Sequence, residues 1–509
     1  MADKTTELTC DVVVVGAGNA ALCAALAARE SGAGVLVLEA APEELRGGNS
    51  RFTGGIVRMV FNGVEDLEQI YDDLTEDEKA NADFGSYTAE DFFNDMGRIT
   101  QYRTNPDLCE VMIDKSLESY LWMKSKGVKF MPPYNRQAFK VDGKFKFWGG
   151  LAVEVWGGGE GLVSALFNAA EREGIKVMYN TRATACLHGD EGVHGVRALS
   201  EGRSVEIQAK AVVLAAGGFE SNAEWRTRYL GPGWDLAKVR GTRYNLGDGI
   251  RMALDVGAMP YGNWSGCHAV GWDLNAPEFG DLSVGDAFQK HSYPFSVMVN
   301  IEGKRFVDEG ADFRNYTYAK YGRAVLEQPG QAAWQIFDQK TKHLLRDEYK
   351  IRRVTKVTAD TLASLADKME EMNKEQLLKT IAEFNTAVMT EVPFNPNVKD
   401  GRGTTGLDLP KSNWANTIDE PPFEAYGTTC GLTFTFGGLR IDTNAQVLDT
   451  SERPMPGLYA AGELVGGLFY FNYPGGTGLT SGTVFGKIAG EHAGQRAMAQ
   501  VATAMAQQR

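Results

Sequence analysis

Three stretches predict an α/β fold built on a parallel sheet that the chain begins, leaves and completes only near its end. The first is Asp11–Glu39, DVVVVGAGNAALCAALAARESGAGVLVLE, and the second is AVVLAAGGFE, residues 211–220. The third is GLYAAGE, residues 457–463, with the glycine loop and helix PGGTGLTSGTVFGKIAG following from Pro474. Between the second and third, from about Met259 to Pro422, the pattern changes to aromatic loops and a charged helical zone at 359–390. That change reads as an inserted α+β capping domain. The expected division is 1–258, 259–422 and 423–509.

The first stretch carries its own physical logic. Val12–Val15 is a β-branched run suited to a buried parallel strand. Gly16, Gly18 and Ala21 then spell G-x-G-x-x-A. Gly16 makes the tight strand-to-helix turn, Gly18 lets backbone N–H groups approach a pyrophosphate, and Ala21 lets the helix pack close to the strand. The helix N-terminus presents roughly +0.5 charge to phosphates. Val35–Leu38 is the second strand, and Glu39, about 20 residues on, is placed for a ribose hydroxyl. Strand, glycines, helix, strand and acid in register predict a Rossmann-like domain with an adenine-dinucleotide site.

After Glu39, RGGNSRFTGG (46–55) gathers small residues and hydroxyls in a loop past the second strand. Residues 64–130 are helical in pattern, their acids read as solvated faces. FKFWGG (145–150) and WGGGEG (156–161) are glycine–aromatic loops, and 161–173 reads as a helix. Residues 177–187, 193–199 and 204–208 read as a small antiparallel sheet turning at Gly189 and Gly202. The buried strand of 211–220 ends in Gly217 and Gly218, suited to a second backbone approach to the dinucleotide. NLGDGIRMALDVGA (245–258) reads as a turn capping a helix.

With 509 residues the chain is long enough for two domains, and a net charge of −14 argues against nucleic acid or an anionic membrane as partner. It leaves an anionic substrate open, which depends on local charge. The six cysteines form no C-x-x-C pair, which removes attached c-type haem, cysteine-ligated clusters and zinc of the usual spacing. No metal site is read. MADKTTELTC lacks a basic segment followed by an apolar one, and no apolar run reaches the ~18 residues of a membrane span. A cytoplasmic protein is expected, with no membrane span.

Taken together, GAGNAALCAALAARE, RGGNSRFTGG, FKFWGG, WSGCHAVGWDLNAPEFGD, RFVDEGADFRNYTYAKYG and YPGGTGLTSG resemble a known flavoprotein family. It is the family of fumarate reductases, succinate dehydrogenases and Δ1-ketosteroid dehydrogenases, and the tricarballylate dehydrogenases within it are similar in particular. The resemblance runs over essentially the whole chain. It implies FAD between a nucleotide domain and a capping domain, with substrate against the flavin ring. The implied reaction is oxidation of a C–C bond next to a carboxylate to C=C. Residues carried over for FAD are Gly16, Gly18, Asn19, Ala20, Glu39, Gly48, Asn49, Ser50, Gly54, Gly55, Ala216, Gly217, Glu463, Gly478, Leu479 and Thr480. No histidine lies near RGGNS, where covalently attached flavins of the family are held, so FAD is expected to be non-covalent.

Desaturation needs hydride transfer to flavin N5, a protein base on the other carbon, and groups that fix the substrate's charge. In fumarate reductases R-F-x-x-E is followed by an arginine of the proton pathway. Here Arg305, Phe306 and Glu309 match, and the next arginine, Arg314, lies five residues past the glutamate where that pattern has three. Arg314 is the expected base or clamp, Glu309 its relay, and Tyr316 and Tyr318 the alternatives, as in ketosteroid dehydrogenases. A structural pair of Arg314 with Asp308 or Asp312 is the competing reading.

His268, eleven residues past Gly257, falls within one residue of the substrate histidine of fumarate reductases. His291 is a second candidate. Tyr473 stands where fumarate reductases carry a carboxylate-binding arginine and ketosteroid dehydrogenases a ketone-polarising tyrosine. Phe434, in TFTFGG, replaces a histidine. Thr435 and Gly476 complete the expected substrate contacts. With two dicarboxylate clamps replaced, a different acid or a carbonyl-activated substrate is favoured over succinate or fumarate. A ketone desaturase and a fumarate-reductase-like reduction remain alternatives. No second dinucleotide fingerprint accompanies the first, so electrons are expected to pass to a separate protein or quinone-linked acceptor.

Overall fold

The computed structural model describes residues 6–507. Residues 1–5, part of the start read as lacking a leader, lie outside them.

Strand β1 (Thr6–Val15) is the centre of an eight-stranded sheet. Helix α1 (Asn19–Glu30) carries the chain over to β2 (Val35–Leu38), which pairs parallel to β1 from Val12–Val35 to Val15–Leu38. Lys176–Met178 extends the sheet beyond β2. On the other side of β1 lies Arg203–Leu214, parallel to it along nearly its whole length. The sequence reading split this strand into an edge of a small antiparallel sheet and a separate buried strand. The structure makes it one element. Its first half takes the antiparallel neighbour Gly192–Ser200, and its second half takes Pro454–Ala460 in parallel. One strand thus joins the polar hairpin and the nucleotide core.

Helix α1 is buried over Asn19–Ala28 because a second helix covers its outer face. That helix, Thr477–Gln507, carries Gly482, Gly486, Gly490 and Gly494 at four-residue spacing, one stripe on its surface. A Cβ at Gly486 would come within 3.1 Å of Ala20 Cα, and one at Gly494 within 3.0 Å of the Ala28 carbonyl oxygen. The glycine stripe lets the two helices meet backbone to backbone above the dinucleotide strand. Among the described residues, no helix is long and apolar enough to cross a membrane.

The second sheet has six strands and is built around Phe423–Leu439, 17 residues long. Its first part pairs with Ala333–Phe337 and Lys356–Ala359. From Thr428 to Leu439 the strand runs antiparallel to Pro260–Asp273, from Pro260–Leu439 to Asp273–Thr428, with register breaks between Asn263 and Cys267 and between His268 and Ala269. The boundary expected at residue 423 therefore falls at the head of a strand of the inserted sheet. The chain rejoins the first sheet at Gln446–Leu448 and Pro454–Ala460. The charged zone at 359–390 is two helices, Leu362–Ala366 and Lys374–Ala387, with their own apolar core of Leu365, Leu377, Ile381 and Phe384 against Ile336 and Ala425.

Candidate functional site

One cavity runs from the C-terminal ends of β1 and β2 to the face of the second sheet, and its lining divides into two regions. The first is a glycine-rich arm. Gly16 has φ +104°, and a Cβ there would fall on the Ala215 carbonyl, so the turn after β1 admits only glycine. Helix α1 begins at Gly18 with no side-chain cap, which leaves first-turn N–H groups facing the cavity. The Asn19 N–H donates to Ser50 Oγ at 2.9 Å, fastening the loop after β2 to the helix start. Glu39 lies at the end of β2, buried, its Oε1 accepting from Ala41 N–H at 2.9 Å. Burial raises its pKa, and neighbouring backbone N–H groups pull it back.

Of the residues expected to contact FAD, all but Thr480 line this arm. Thr480 faces away: its hydroxyl contacts Arg58 O at 2.6 Å and Tyr120 Oη at 2.8 Å. The helical period directs Gly478, Leu479 and Gly482 inward and turns residue 480 to the other side. Asn49 serves as a strut, giving Nδ2 to Glu220 Oε1 and Thr433 O at 2.6 and 2.7 Å.

Behind the arm, Glu220 and Glu463 are two buried carboxyl groups that act on each other, and Glu220 Oε2 has no hydrogen-bond partner among the described residues. Glu220 Oε1 also accepts from Asn245 Nδ2 at 2.6 Å, and Glu463 Oε1 accepts from Thr435 N–H at 2.9 Å. Burial first, and then the charge of Glu463, push Glu220 well above the usual carboxylate range; burial also raises Glu463. Both shifts favour a proton held within the pair. A Cβ at Gly218 would overlap both Glu463 and Thr435, so the strand end must be bare for this arrangement to exist.

The second region is aromatic and cationic. His268 projects opposite Phe434 across the two long strands and packs against Tyr318 and Tyr473, ring centres 5.0 and 4.8 Å away. Both its ring nitrogens are buried without a partner among the described residues. Tyr473 Oη accepts from Gly476 N–H at 2.9 Å. His291 lies 4.9 Å from Tyr318, ring to ring, and its Nδ1 is 3.4 Å from Arg314 Nη1. Burial lowers the pKa of both histidines well below 6.5, and nearby arginines lower it further, so both are neutral.

Arg314 reaches this wall from a short turn, Arg314–Tyr316. Its Nη2 donates to the Arg136 carbonyl at 2.9 Å, and its Nε has no partner. It makes no ion pair among the described residues. Asp308 instead accepts from Ser412, and Asp312 pairs with Arg98.

The structure does not bring every expected catalytic residue here. Glu309 is fully buried away from the cavity, paired with Arg305 at 2.6 Å and accepting from Met298 N–H at 2.8 Å. The relay expected of it is not made, because Arg305, one helical turn away in sequence, claims the carboxylate. The group touching Arg314 is His291. Tyr316 also lies outside the lining; its hydroxyl donates to Asp95, and its ring lies over Arg58. Tyr318, Thr435, Tyr473 and Gly476 do line the cavity.

Four residues with no motif complete the wall: Arg136, Arg240, Arg346 and Glu348, with Asp286 between the first two. Arg240 Nε donates to Asp286 Oδ1 at 2.8 Å, and Arg136 lies 3.3 Å from Asp286 Oδ2. Arg136, Arg240, Asp286 and the Arg346–Glu348 turn come from separate segments, and no local spacing announces them.

An uncapped helix start, a side-chain-free turn and a buried acid at the second strand form a fitting cradle for a dinucleotide diphosphate and its ribose. Comparison with known proteins agrees. The profile of the FAD binding domain family matches residues 11–479. A fumarate reductase (cytochrome) of Shewanella frigidimarina is 30% identical over 491 residues, covering 95% of this chain and 77% of the relative. A 3-oxosteroid 1-dehydrogenase of Mycobacterium tuberculosis is 26% identical, covering 96% of this chain and 98% of its own. The open conformation of a flavocytochrome c3 fumarate reductase shares the fold at a TM-score of 0.72 and 26% identity, covering 96% of this chain and 79% of that one.

Proposed function

Because the chain belongs to the FAD binding domain family and is an FAD-dependent oxidoreductase, we propose that it acts on a C–C bond α,β to a carboxylate. The substrate class is an organic acid of the tricarballylate type. Bound FAD supplies the hydride acceptor. The observation that carries the reading is Arg314: a buried guanidinium on the cavity wall with a vacant Nε donor and no carboxylate paired to it among the described residues. Such a cation is costly unless an anion meets it, and a bidentate carboxylate suits its fork of donors.

Arg314 would clamp the carboxylate and stand in the path of the proton. Neutral His291, in contact with its Nη1, accepts or returns that proton. His268, Tyr318, Phe434 and Tyr473 form an apolar-faced wall that holds the carbon skeleton and excludes water. Electrons leave through a separate acceptor, non-covalent FAD being the carrier.

One observation favours a second reading, a ketone desaturase. Tyr473 Oη accepts an N–H from Gly476, which frees its own hydrogen to polarise a carbonyl. Anaerobic mixing decides between them. Bleaching of the flavin by tricarballylate and not by cyclic 3-ketones supports the acid; the reverse result selects the ketone.

A further inference from the structure

At the substrate end the cavity holds four arginines, Arg136, Arg240, Arg314 and Arg346, against two carboxylates, Asp286 and Glu348. Asp286 is taken by Arg240 and Arg136. Glu348 acts through space on Arg314 and Arg346, yet pairs with neither among the described residues, and its Oε1 is buried without a donor. Arg136 also lies 3.7 Å from a further carboxylate, Glu154, so the four arginines face three carboxylates and a positive charge is left over.

Of the four, Arg314 and Arg346 are the two without an ion pair among the described residues, and Arg346 is only 6% exposed. Its Nη1 donates to the Asn135 carbonyl at 2.9 Å, and its guanidinium lies 5.0 Å from the centre of the Phe139 ring. Nε and Nη2 have no acceptor among the described residues. Burial, then the like charge of Arg314, lower its pKa well below the usual value. The backbone turn at 135–136 accepts from both arginines, through Asn135 O and Arg136 O, and so fixes them side by side as a pair of forks.

Resting on the reading that the substrate is an organic acid, we infer that Arg346 anchors a second substrate carboxylate and selects acids with two or more carboxylates over monocarboxylates. One carboxylate meets Arg314 beside His291, and the second meets Arg346 farther from the aromatic wall. The open donors of Arg314 and Arg346 are filled together only by a substrate with two carboxylates. A monocarboxylate leaves one of the two guanidinium groups buried without a partner.

The test is a titration of FAD-loaded enzyme with tricarballylate, succinate and butanoate, followed by perturbation or bleaching of the flavin spectrum. Arg346→Met is expected to weaken tricarballylate and succinate about 10- to 100-fold. Butanoate should change by less than about threefold, and Arg346→Lys should recover part of the loss. With tricarballylate as reductant, KM should rise more than kcat falls. Equal weakening of butanoate and tricarballylate, or no change in either, overturns the inference while the acid reading stands. If none of the three acids perturbs wild-type flavin, both fall. Should Arg346→Met not load FAD, Arg346→Lys decides alone, by selective weakening of the two polycarboxylates.

Discussion

Glu220 and Glu463 meet as two buried carboxyl groups behind the cofactor arm, with no cation paired to either among the described residues. Glu220 accepts from the amides of Asn49 and Asn245, and the charge of Arg226 acts from a distance. Both carboxyl pKa values lie above the ordinary 4.5. Folding therefore favours the protonated pair. Its stabilisation is complete below 4.5 and is lost as pH rises through the elevated value. His268 and His291 behave oppositely. Their stabilisation is complete above about 6.5 and is lost as pH falls. Melting of the holoenzyme, and its retention of flavin, should decline on both sides of a middle range. Glu220→Gln removes one titrating carboxyl at nearly the same size and should flatten the alkaline limb. An alkaline limb identical in Glu220→Gln would remove the pair as its source.

Glu39→Ala should weaken FAD binding about 10- to 100-fold, the range for lost charge-assisted hydrogen bonds, with little change in fold. Flavin fluorescence on dilution reads the release. Unchanged retention removes Glu39 from the ribose.

Arg314→Ala should lower turnover by about 10²–10⁴-fold, the span of a lost acid–base or charge-clamping group. Flavin content should stay the same. Near-wild-type turnover would take Arg314 out of the mechanism.

Glu309→Ala should behave as a stability mutant. It strands Arg305 and the Met298 N–H in the core, a loss of about 3–5 kcal/mol for a broken buried pair. A catalytic relay would instead leave melting intact and abolish turnover. Chemical denaturation and steady-state rates separate the two outcomes.

What could be read from the sequence was what is local in sequence. Asp11–Glu39 encodes its strand, turn, helix and acid within one β–α–β unit, and each part lies where that unit requires. Arg314 and His268 were legible because short motifs flank them. The pairing of Glu309 was not, since R-F-x-x-E also puts Arg305 at i−4, where it takes the carboxylate first. Thr480 sat in the right segment and on the wrong side of the helix. Arg136, Arg240 and Arg346 left no signal at all: a short turn, a strand end and a loop bring them together only through tertiary packing. The pairing of Phe423–Leu439 with Pro260–Asp273 left no local signal, because the two strands lie far apart in sequence.

That ribbon is tied at one end to the nucleotide domain, through Leu439–Val465 and Arg440–Met259, and at the other end belongs to the inserted sheet. A bulge bends a ladder and tightens its twist, and the ladder here is broken on both sides of His268. The bend of the ribbon thus coincides with an imidazole of the cavity wall. The same irregularity that turns the strand also sets how His268 meets Phe434 and Tyr473, so the path of the backbone and the form of the cage are one feature.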